Sequence, residues 1–166
     1  MAKKINIYIG VTQGISLYSK LIKFFQWGNL YTHTFYLEES EYEKADPIVI
    51  ESTAGYGVHR AKLSVAHTLG TKYTIFSLKV TLKEKEEVEK FLYSKMGSKY
   101  DYLGLLGFVA RRSTEDSNKY FCSEFLYTAL LYAKVKLFRT LTPTQVYPAL
   151  FIESVLLKEE YSSESI

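Results

Sequence analysis

The sequence predicts an α+β fold: a mainly antiparallel sheet packed against helices. Three observations lead there. Several segments, mostly in the first half, alternate apolar and polar residues with a period of two. Later segments space apolar residues three and four apart. No repeat, linker or shift of composition divides the chain, and its 166 residues suffice for one hydrophobic core. The expectation is a single domain over residues 1–160 and a flexible tail, 161–166, ending SSESI.

Residues 5–11 read as the first strand, with Ile5, Ile7 and Ile9 alternating with Asn6, Tyr8 and Gly10. Residues 14–28 read as a helix: Leu17, Leu21, Phe24 and Phe25 recur at helical spacing, and Gly28 is a natural stop. Strands follow at residues 32–39, 46–52 and 71–80. Thr81 and Glu84 form a capping-box signature for a helix running to Gly97. Residues 100–112 read as helical despite interrupting glycines, and 113–119 as a polar loop. The segment KYFCSEFLYTALL, residues 119–131, opens the next helix; Thr142 and Pro143 open a short last one.

Composition narrows the function. The chain is 47% hydrophobic and 23% charged, an ordinary globular balance that argues against disorder. It carries 15 Tyr and 10 Phe, enough to build a core with hydroxyls at its rim or to line a groove for an apolar ligand. Net charge is +3 with scattered basic residues, so no nucleic-acid partner is expected. No segment approaches the ~18–20 apolar residues of a membrane helix. The start, MAKKINIYIGVTQG, lacks the long apolar core and cleavage site of a signal peptide, so the expected location is the cytoplasm. One cysteine forms no internal disulfide, which excludes a disulfide-stapled scaffold.

That cysteine, Cys122, precedes an apolar stripe of Phe125, Leu126, Ala129, Leu130 and Ala133. At the first turn of a helix, free N–H groups and the helix dipole favour a thiolate, hence a nucleophile. Deeper in the helix, on the stripe itself, the same residue would be packing. A nucleophile needs a base. His33 shares a strand face with Phe35 and Leu37 and can meet a helix start as a Cys–His pair. His59, after a glycine turn, reads as rim or loop, and His67 reads as solvated. Neither stands at metal-ligand spacing to the cysteine, so no zinc site is expected. Glu51 closes the third strand on the face of Val49, where its carboxylate can orient His33 if the two strands are neighbours; His59 is the fallback.

The order of these pieces is a strand, a helix, a T-H-T-F-Y strand, a V-I-E-S strand, a Y-D-Y-L-G-L segment, then F-C-S-E-F. It resembles the circularly permuted NlpC/P60 cysteine hydrolases of the YiiX/YebB-like group, which have a permuted papain-like fold. In ordinary NlpC/P60 enzymes the nucleophile helix precedes the sheet; here His33 precedes Cys122, which suits the permuted order. The resemblance spans residues 5–150 and is most specific at F-C-S-E-F. It implies Cys122 as nucleophile, His33 as general base and Glu51 as the polar third member.

The activity so implied is a thiol hydrolase of amides or esters that works through a thioester and needs no metal or organic cofactor. Its substrate would be a small molecule, peptide or lipid. The oxyanion is expected at the Cys122 backbone N–H and a second donor, Gln13 or Tyr120. Glu124 reads as a first-turn acid favoured by the helix dipole, and Arg111 and Arg112 as cations at a helix C-terminus. Two other outcomes fit the same site. Lecithin:retinol acyltransferase-like enzymes have related permuted folds and pass the acyl group to an amine or alcohol. A chain that kept the fold and lost catalysis would be a peptide- or lipid-binding module.

Overall fold

The computed structural model describes residues 3–25, 28–38, 44–67, 70–102 and 119–163. Six strands form one sheet: β1 (Lys4–Gln13), β2 (His33–Leu37), β3 (Ile48–Thr53), β4 (Gly57–Lys62), β5 (Lys72–Thr81) and β8 (Leu157–Ser162). Their order is β4-β3-β2-β1-β5-β8, and every neighbouring pair is antiparallel. Two short strands, β6 (Lys99–Tyr100) and β7 (Lys119–Tyr120), pair in parallel. The helices are α1 (Leu17–Phe25), α2 (Leu63–Ala66), α3 (Leu82–Ser94) and α4 (Cys122–Tyr132), with 3-10 turns at Pro143–Gln145 and Pro148–Glu153. The architecture is α+β, with helices packed on an antiparallel sheet. Among the described residues no helix is long and apolar enough to cross a membrane.

Strand alternation builds the core. Ile7, Ile9 and Val11 of β1 meet Tyr36, Ile50, Phe76 and Leu78 of neighbouring strands, and Val88, Leu92, Leu126 and Leu130 of α3 and α4. Each large apolar side chain so buried contributes roughly 1.5–3 kcal/mol. A smaller cluster collects Phe35, Leu37, Val49, Leu63 and Ile75. Neighbouring residues of β2 and β3 thus enter different apolar clusters, which explains the unbroken apolar runs there. The cap of α3 forms as its sequence implies: the Thr81 hydroxyl accepts from the Glu84 N–H and the Glu84 carboxylate accepts from the Thr81 N–H. The helix stops at Ser94, and Gly97 closes the following turn with φ of 81°.

Several elements differ from the sequence expectation. Helix α1 forms, but it buries Ser19 and Ile22 and leaves Leu21 and Phe24 exposed. Leu21 and Phe24 of the apolar repeat therefore lie off the buried face. Strand β4 follows a glycine turn and buries only Gly57 and Val58, so its alternation carries almost no apolar signal. Strand β8 is a polar edge strand; Tyr161 and Ser162 pair with Ile75 and Thr74, inside the span expected to be a tail. Tyr100 belongs to β6 rather than to a helix. Residues 103–112 of the expected helix, with Arg111 and Arg112, and residues 113–118 of the polar loop lie outside the described residues.

Gly10 of β1 leaves room for the ring of Phe35 on the neighbouring strand. A Cβ there would run into the ring of Phe35, which is only 1% exposed. Gly10→Ala should destabilise the fold by about 1–3 kcal/mol, read as a lower urea midpoint at unchanged slope. An unchanged midpoint would contradict this packing.

Candidate active site

Strand register brings the polar residues together. Tyr36 pairs with Ile50 and Leu37 with Val49, so continuing that antiparallel ladder carries His33 and Glu51 to the same end of the sheet. Glu51 is also the Cα partner of His59 on β4. Helix α4 packs against β2 and β3 and points its start at that end. Two buried hydrogen bonds hold this start in place: Ser52 Oγ donates to the Tyr120 carbonyl at 2.7 Å, and Ser123 Oγ to the Val146 carbonyl at 2.6 Å. Cys122 lies between them as the first residue of α4. The Phe121 N–H donates to the Glu124 carboxylate at 3.3 Å, one more anchor at the helix start.

His33 joins the cysteine to the carboxylate. Its Nε2 lies 2.7 Å from Glu51 Oε2, and Cys122 is its other close electrostatic partner. With Nε2 on the carboxylate, Nδ1 is the nitrogen left for the thiol. Burial alone would push His33 below its ordinary 6.5, but the charges of Cys122 and Glu51 act against it and hold the ring protonated up to about 10. Burial would raise Glu51; His33 and then His67 outweigh it and keep the carboxyl well below the usual carboxylate range.

Cys122 is 1% exposed and packs with Ile22, Tyr100 and Phe121. Tyr100 is the residue that sequence reasoning missed. Burial, and next the charge of Cys122, push its phenol far above the ordinary 10.0, so it stays protonated and able to donate. Its segment was visible as Y-D-Y, but the β6–β7 pairing that sets it beside Cys122 was not. Tyr120, one of the two donors expected from sequence, sends its ring between Phe91 and Phe125 and under Lys95, a packing position. Gln13, the other, ends β1 half-buried, one residue past the Cα partner of His33. A cleft of about 330 Å³ opens beside Tyr100, lined also by Tyr56, Lys99, Asp101 and Tyr102.

The other two histidines also differ from their sequence reading. His67, expected in solvent, is mostly buried, and its Nε2 lies 3.1 Å from Glu51 Oε2. His59 directs Nε2 to within 3.4 Å of Glu51 Oε1. Three imidazoles therefore converge on one carboxylate. No protein-family model and no curated protein matches this chain.

The pair has a pH signature. Glu51, lowered from 4.5, contributes stability above about pH 4.5 that is lost as pH falls through its folded value. His33, raised from 6.5 to about 10, contributes stability in full below 6.5 that is lost as pH climbs toward 10. The melting-temperature gap between wild type and His33→Ala should be widest between about pH 4.5 and 6.5 and close toward pH 10. A gap that widens above pH 6.5 would contradict this assignment.

Proposed function

We propose that the chain is a cysteine-dependent hydrolase of amides or esters, built on a permuted papain-like architecture of the NlpC/P60 type. One observation carries the reading: His33 links a cysteine at a helix start to a carboxylate that is fully buried. A cysteine that merely filled space beside Ile22 and Phe121 would need neither partner. Burying a carboxylate and an imidazolium costs several kcal/mol, and perturbed pairs of this kind cluster at functional sites.

In this reading Cys122 Sγ attacks the substrate carbonyl and forms a tetrahedral oxyanion. The Cys122 backbone N–H and the Tyr100 hydroxyl donate to that oxygen. The imidazolium of His33 gives its proton to the leaving amine or alkoxide as the C–N or C–O bond breaks, leaving a thioester. Neutral His33 then takes a proton from water, whose oxygen attacks the thioester and releases the acid and the thiolate. Glu51 holds the ring in one orientation and stabilises its charged form. The aromatic cleft beside Tyr100 offers a place for the acyl or peptide portion of a substrate.

One observation favours a second reading, a binding module without turnover: the thiol is only 1% exposed. A panel of amide and ester substrates separates the two. Under the hydrolase reading, Cys122→Ala loses turnover by on the order of 10³-fold or more, and intact-mass measurement of quenched wild type shows an acyl adduct on Cys122. Undiminished turnover in Cys122→Ala would remove the thioester mechanism. Product analysis with added amines or alcohols tells hydrolysis from acyl transfer. Tyr100→Phe should lower kcat by about 10²–10³ with a smaller change in KM. An unchanged kcat would return the donor role to Gln13 or to the backbone alone.

A further inference from the structure

The cluster around Glu51 has more donors than a catalytic triad uses. A ring nitrogen of His33, a Glu51 carboxylate oxygen and a ring nitrogen of His67 all lie within 4.8 Å of one another, and these residues come from β2, β3 and the turn after α2. The separations from Glu51 Oε2 are 2.7 Å to His33 and 3.1 Å to His67. Donors around a tetrahedral Zn²⁺ at 2.0–2.1 Å stand about 3.3 Å apart, so the His67–Glu51 separation is already near that spacing and His33 and Glu51 need part by only about 0.6 Å. Two imidazoles and one carboxylate form a borderline donor set suited to Zn²⁺ and its divalent neighbours.

Two buried atoms of the cluster lack a hydrogen bond. Glu51 Oε1 has none, and neither has His67 Nε2 despite its closeness to Oε2. His59 sharpens the point. Its Nδ1 donates to the Gly57 carbonyl at 3.0 Å, and its Nε2 is directed at Oε1, 3.4 Å away. Nitrogen and oxygen donors gathered round a buried carboxylate can share a cation. Either protons or a metal ion can fill that role.

We propose that His33, Glu51 and His67 form a binding site for a divalent transition-metal ion, with Zn²⁺ as its probe, and that the bound ion holds the enzyme off. His59 lies within reach of the second carboxylate oxygen and would steady it. Binding sends the Nε2 proton to solvent, sets the metal in its place and ties Glu51 to the ion. Glu51 then no longer orients the ring for the proton transfer at Nδ1, the nitrogen that faces the thiol. The metal site rests on the geometry alone; its inhibitory effect rests on the hydrolase reading above.

Calorimetric titration of the full chain with ZnCl₂ tests the site. Cys122→Ala should still bind one Zn²⁺ per chain, and adding His67→Ala or Glu51→Gln should weaken binding by roughly tenfold or more. Co²⁺ should give visible d–d bands without thiolate charge-transfer absorption. The Glu51→Gln variant keeps the side-chain shape, and circular dichroism checks that both variants fold. Binding that vanishes in Cys122→Ala, binding indifferent to His67 and Glu51, or no binding at all would overturn the proposal. In wild type, Zn²⁺ should slow iodoacetamide alkylation of Cys122, and His67→Ala should blunt that effect. Zn²⁺ binding at this site without any slowing would overturn the inhibitory role. A metal-free thiol unreactive toward iodoacetamide in wild type would instead count against the hydrolase reading and leave the calorimetric result standing.

Discussion

A carboxylate with no exposed side-chain surface constrains everything around it. Glu51 sits on β3 with its side chain 0% exposed. Its charge is tolerated because imidazoles from β2, β4 and the turn after α2 reach it at 2.7–3.4 Å. Those partners exist only in one register. A slip of one residue between β2 and β3 would turn Glu51 to the opposite sheet face, among Ile50, Val58 and Tyr36. Burial of this single charge therefore selects the strand pairing as strictly as the apolar clusters on either side do.

The same constraint places the cysteine. Helix α4 is held by its apolar contacts with β2, β3 and α3; Ser52 Oγ of β3 donates to the Tyr120 carbonyl just before its start, and Ser123 Oγ in its first turn donates to the Val146 carbonyl. Cys122 consequently meets His33 at a helix start, where amide N–H groups and the dipole favour negative charge. Sulfur, imidazole and carboxylate form a continuous line from a packed hydrophobic pocket into a polar cluster. The line joins residues far apart in the chain through a sheet whose strand order is not its sequence order.

Much of this was legible in the residues. Alternation located β1, β2, β3 and β5, and the Thr81–Glu84 pair located the start of α3. The shared face of Val49 and Glu51 and that of His33 and Phe35 allowed a contact between His33 and Glu51 on the condition that the two strands were neighbours, which only the fold supplies. The rest depended on tertiary pairing. Strand β8 has no apolar face, so only its pairing with distant β5 reveals it. His67 looks like a loop residue until α2 folds it back over the sheet against Phe35 and His33. Tyr100 joins Cys122 because β6 and β7 run side by side, and a two-residue parallel pair leaves no periodic trace.

The central claim is that Cys122 and His33 act as one chemical unit. The most direct measurement is the rate of Cys122 alkylation by iodoacetamide as a function of pH, in wild type and in His33→Ala. The account predicts that wild type reacts faster than His33→Ala near neutral pH, because the charged imidazole favours the thiolate. It predicts that the two profiles differ in shape as well as in rate. Superimposable profiles for the two proteins, or no reaction in either, would contradict it and return Cys122 to the role of a packed side chain.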